Sequence, residues 1–140
     1  LLSRVDRKFV ISGIGERPAV VHLRDWKLPG FTTGSGCIAP RLSQMLFEAC
    51  TRPNFEEAEA LRSEFISLED LRDEWGPAKV LHSAIELAGI AQTGEIAPYV
   101  SGLSEEQRLL LETVASELKK LDLDFRGEVN SERVSKIVGV

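Results

Sequence analysis

Two short apolar runs, each closed by a small-residue turn and each followed by a helical pattern, constrain this chain more than any other feature. The first, Phe9-Val10-Ile11-Ser12-Gly13, is rich in β-branched residues. It suits a strand buried on both faces, as in a parallel sheet. A helical pattern over residues 16–26 follows, with Pro18 in its first turn and apolar side chains at Ala19, Val20, Leu23 and Trp26. Pro29-Gly30 stops that helix, Phe31-Thr32-Thr33 reads as a second strand, and Pro40 opens a helix through Leu42, Met45, Leu46 and Ala49. The β-α-β-α order favours parallel strands with right-handed crossovers. Two strands alone are marginal, so the pattern asks for further strands beside them.

From residue 51 every strong signal is helical. Asn54 and Glu57 have capping-box spacing before one helix over residues 55–75, with apolar positions at Ala58, Leu61, Phe65, Leu68 and Leu71. The acidic run from Glu56 to Glu74 reads as its solvated face. Gly76-Pro77 ends that helix and starts another over residues 78–88, closed by Gly89 as a C-cap. A loop over residues 92–102 carries Gly94, Pro98 and Gly102. Ser104 and Gln107 then cap a helix that runs to residue 123. The expected organisation is βα units in 1–50, a helical extension in 51–122 and a tail or short terminal helix in 123–140.

Composition bounds the function classes. With 43% hydrophobic and 28% charged residues the 140-residue chain reads as globular, and 22 acidic against 17 basic residues give a net charge of -5. No Lys/Arg run stands out, which argues against a nucleic-acid surface. There is neither a signal-peptide h-region nor an apolar run of about 18 residues for a membrane span. The expectation is a soluble, reduced, cytoplasmic chain. Cys37 and Cys50 lie 13 apart without a CxxC pair and with only His22 and His82 as histidines. That fits no zinc site and predicts two buried thiols, with neither metal nor cofactor.

The turns SGIGERP and TTGSGC fail as nucleotide loops. The first has no third glycine at Pro18, and the second lacks GKS or GKT. What they share is their place at a strand's C-terminal end before a helix, the edge where ligands bind in α/β folds. Ser12, Thr32, Thr33 and Ser35 are the polar groups there, and the sequence offers none of them an activating partner. Cys37 has no neighbouring base; His22, His82, Trp26 and Trp75 read as helical packing residues. Lys8 and Lys27 precede strands, the wrong face for chemistry in a barrel.

Four segments in order resemble the C-terminal part of the dihydrodipicolinate synthase and N-acetylneuraminate lyase superfamily. FVISG resembles its seventh barrel strand, and GFTTGSGCIAPRLS its eighth strand and the helix after it. GPAKVLHSAIELAGI is similar to its Pro-Val-Lys helix, and IAPYVSGLSEEQ to its Leu-Pro-Leu-x-x-Leu-Ser-x-Glu-Glu segment. The resemblance spans roughly residues 9–120 and implies an α/β fold: the last two βα units of a (β/α)₈ TIM barrel plus a C-terminal helical extension. It implies a lyase, aldolase or dehydratase, that joins a lysine to a pyruvate-like 2-oxo acid as a Schiff base. A deoxy keto-sugar acid is one candidate substrate, and a homodimer or homotetramer the expected assembly.

A whole barrel takes about 250 residues, so the family's Schiff-base lysine, its strand-five tyrosine and its paired strand-two hydroxyls would precede residue 1. Neither Lys8 nor Lys27 stands in the lysine motif. The chain is then expected to act as a fragment supplying pocket wall, inactive alone, with no catalytic residue. Ser12 and Gly13 on strand seven and Thr32, Thr33 and Gly34 on strand eight are the implied substrate-binding residues. The competing reading is a non-catalytic helical interaction or sensor module.

Overall fold

The computed structural model describes residues 2–52, 54–98 and 100–125. Six α-helices dominate them: α1 (Ala19–Arg24), α2 (Pro40–Thr51), α3 (Phe55–Ser63), α4 (Ile66–Trp75), α5 (Pro77–Leu87) and α6 (Glu105–Asp124). No described helix is long and apolar enough to cross a membrane. The helical part of the expectation is therefore met, and α6 runs slightly past its expected end. The expected tail beyond residue 125 lies outside the described residues.

The two expected strands do not form as strands. Arg7–Phe9 closes into a 3₁₀ turn capped by Asp6, and a single parallel bridge joins Ser12 to Phe31. Its bonds are Ser12 N–H to the Gly30 carbonyl, 3.0 Å, and Thr32 N–H to the Ser12 carbonyl, 2.8 Å. Among the described residues no third segment pairs with them, and two short segments alone make a marginal ladder. The first helix is also shorter than its pattern. Pro18 stands at its N-cap, and Glu16 remains in the preceding turn.

The helix expected over residues 55–75 breaks at Glu64–Phe65. There the N–H groups of Glu64 and Phe65 reach back three residues to Leu61 and Arg62, and the Ser63 hydroxyl takes the Ala60 carbonyl at 2.6 Å. Such back-bonding competes with the helical ladder and bends it. The bend lets Phe65, Leu68 and Leu71 turn into the core formed with Leu61 of α3, Leu42 and Leu46 of α2, Val80 and Ala84 of α5, and Leu111, Ala115 and Leu118 of α6.

Helix α6 closes this core with polar side chains as well as apolar ones. Helix α2 has no side-chain cap of its own. Asp122 of α6 supplies one, accepting the Arg41 and Leu42 N–H groups at 2.8 and 2.9 Å while itself 2% exposed. Lys119 donates to the Ala88 and Gly89 carbonyls at the end of α5, 2.6 and 3.3 Å away. Each charge lies at the helix end whose dipole favours it.

Candidate functional site

The bridge fixes which way the candidate residues face. Ser12 and Phe31 share a face, since bridged partners do, and that face is covered by helices: the Ser12 hydroxyl lies 2.7 Å from His22 Nδ1 on α1, and Phe31 packs tilted on Phe47 of α2. His22 in turn stacks on Trp26, ring centres 4.2 Å apart. Alternation places Ile11, Gly13 and Thr32 on the opposite face, where all three are exposed. Ser12 thus meets the histidine that sequence order did not pair with it.

Thr33 and Gly34 lead into a buried polar cluster. Glu16 is fully buried, and its Oε1 accepts the hydroxyls of Thr33 and of Ser43, the latter at 3.0 Å; among the described residues its Oε2 has no hydrogen-bond partner. Glu69 of α4, 1% exposed, accepts the Ser35 hydroxyl at 2.8 Å and pairs with Arg72 one helical turn on. The acidic run of α3 and α4 is therefore not uniformly solvated. Burial pushes the Glu16 carboxyl above the usual range, the Thr33 bond opposes this, and the neighbouring Glu69 charge adds to it.

The two glycine turns are pressed against α4 and α5. Gly15 has φ +92°, and a Cβ there would stand 2.7 Å from Arg72 Nη1 and 3.0 Å from the Glu69 carboxylate. Only glycine fits both the backbone and the space. A Cβ on Gly34 would meet Leu81 of α5 at 2.6 Å. A cleft of 370 Å³ runs beside this cluster, lined by Phe31, Thr33, Ser43, Gln44 and Phe47 among others.

Other candidates fall outside the cluster's chemistry. Both cysteines are free thiols, Cys50 buried and Cys37 exposed, so the expectation of two buried thiols holds only for Cys50. Partial burial raises the pKa of Cys37, and that of Cys50 to about 11, which leaves both as weak nucleophiles. His82 binds the Gly94 carbonyl at 3.0 Å, fastening the loop after α5. Lys8 pairs with Asp6 in solvent. Among the described residues no group of three or more metal-ligating side chains gathers. A buried carboxyl pair split between a turn and a glutamate-rich helix gives no local sequence signal; only the failure of Glu16 to join α1 could have hinted at it. Comparison with protein-family models, with curated proteins and with solved structures finds no match to this chain.

Proposed function

We propose that the chain forms the last two βα units and the helical extension of a (β/α)₈ barrel lyase that binds a 2-oxo acid as a Schiff base on a lysine outside these residues. The observation that carries this reading is the parallel Ser12–Phe31 bridge with both of its outer edges open. Ser12 uses its N–H and C=O on Phe31's segment, while among the described residues the backbone groups of Ile11 and Gly13, which point the other way, make no hydrogen bond; nor do those of Phe31 on the far edge. Open edges in the middle of a chain's apolar runs call for neighbouring strands. On the face away from the helices Ile11 is 59% exposed, as a side chain meant for a barrel interior would be until the other strands close it.

In that setting Gly13 and Thr32 look into the barrel, with Thr33 and Gly34 at its rim, and the chain supplies pocket wall. Assembly as a homodimer or homotetramer belongs to the same reading. The core that α2 to α6 share favours a second reading, a non-catalytic sensor or a helical interaction module in which residues 1–40 merely dock onto a partner. Borohydride reduction with pyruvate separates them. Applied to the whole polypeptide or assembly that carries this chain, it should leave a covalent adduct on a lysine outside residues 1–140 and none within them. Absence of any adduct sinks the lyase reading. Amide exchange at Ile11 and Gly13 should slow by at least about a hundredfold in that assembly relative to the chain by itself.

A further inference from the structure

Glu16 Oε2 poses a counting problem. It is buried, and no N–H or O–H among the described residues reaches it. The hydroxyls of Thr33 and Ser43 both go to Oε1. What does lie within hydrogen-bond reach of the Glu16 side chain is the Glu69 carboxyl. That group is an acceptor already engaged: its Oε1 takes the Ser35 hydroxyl and Arg72, and its Oε2 takes the Arg17 N–H at 3.4 Å. Two ionised carboxylates have only lone pairs to offer each other, so a bond between them needs a proton on one.

The charges around the pair lead to the same count. Arg72, its side chain 11% exposed, pairs with Glu69. Arg17 turns outward to Asp70 and Asp73 of α4, and Arg62 of α3 pairs with Glu59 and reaches the Arg17 carbonyl. The turn at 33–37 adds the Cys37 thiol near Glu16, and α2 adds only the Ser43 hydroxyl. One buried cation thus stands beside two buried carboxyls. A single proton makes the group neutral, and without it a net negative charge is buried.

The two carboxyls belong to parts held with unequal strength. Glu69 is fixed in α4, whose Leu68 and Leu71 lie in the core. Glu16 sits in the turn after Ser12, which a single bridge ties to Phe31. Gly15 brings that turn against the Glu69 carboxylate and Arg72, and Gly34 brings the second turn against Leu81.

We propose that Glu16 and Glu69 share one proton, and that this pair is a pH-sensitive latch holding the turns at 13–16 and 33–36 against α4. Loss of the proton leaves two carboxylates facing each other, and the side that yields is the one with the single bridge. The turns then lift while α2 to α6 stay folded. Burial disfavours Glu16 as an anion, so the latch is closed at low pH and opens as pH rises. None of this depends on the lyase reading.

Two measurements on the 140-residue chain across a pH series test the latch. In carboxyl-carbon NMR spectra the Glu16 signal should titrate above the ordinary glutamate range, and the Glu69 signal should shift in the same step. The amides of Ser12 and Thr32 report the bridge. Their protection, corrected for the pH dependence of free-chain exchange, should fall about tenfold through that step, the scale of one lost hydrogen bond. Protection at Leu46 and Ala84 in the core should stay within about twofold.

Glu16→Gln puts an amide N–H where the shared proton lay, so it should remove the step and keep the bridge protected throughout. Glu16→Ala should leave Ser12 and Thr32 poorly protected at every pH. Titration of Glu16 inside the ordinary range overturns the shared proton, and is the result expected of two ionised carboxylates bridged by a water. Parallel loss of protection at Leu46 and Ala84, or unchanged protection at Ser12 and Thr32, overturns the latch. The wild-type series decides between these outcomes even if neither variant folds.

Discussion

Phe9 and Ile11 lie largely open to solvent, whereas Phe65 and Leu68 on the helical side of the molecule have no exposed surface. The side chains are of the same kind, and the difference lies in where their partners sit along the chain. A helix satisfies its own backbone and needs only an apolar stripe to meet another, so α3 to α6 find partners within a few tens of residues. A strand satisfies its backbone only through other strands. Among the described residues, 9–13 and 31–33 find one bridge between them and no further strand. A helical region can close by itself, and a short extended segment cannot.

The sharpest way to break that comparison is to truncate one aromatic on each side. Phe65→Ala should cost about 3–5 kcal/mol in urea unfolding through the cavity it leaves. Phe9→Ser in the same chain should stay within about 0.5 kcal/mol, as surface changes do. If the two costs prove similar, the N-terminal segment is packed after all. If the segment belongs to the barrel proposed above, the same Phe9→Ser should cost several times more in that assembly than in the isolated chain.

The polar cluster joins the two regions, and removing its helical half should nearly match a core deletion. Glu69→Ala strips the partner from Arg72 and Ser35 and should cost about 3 kcal/mol by thermal or chemical unfolding. A loss below about 0.5 kcal/mol would show that α4 does not hold the turns. Within the helical region, Asp122→Ala removes the distant cap of α2 and should cost about 1–2 kcal/mol, with faster exchange at Arg41 and Leu42.

The smallest expected effect is a slope. Glu16 faces Glu69 on α4 and the hydroxyls of Thr33 and Ser43 and lies near Cys37 in the turn, and its pKa in the fold is raised, chiefly by burial. Between the ordinary glutamate range and that raised value the folded chain holds a proton that the unfolded chain has released. Stability should therefore decline as pH rises through this window, the part contributed by Glu16 being fully present only below the ordinary range. Glu16→Gln should flatten the profile there; an unchanged slope would place the titration elsewhere.

What the sequence by itself determined was local. The Asn54 and Ser104 caps, the Gly76-Pro77 break and the Gly89 terminus, with φ +63°, are where their residue types predict, because each depends on bonds within a few residues. The adjacency of the two apolar runs was legible too, as a parallel bridge, though not their failure to extend. Tertiary structure alone decided the rest. It buried Glu16 and Glu69 together, drew Ser12 to His22 and brought Asp122 to cap a helix some 80 residues earlier. Each of these joins groups far apart in the chain, and burial, which sets their electrostatics, is a property of the packed whole.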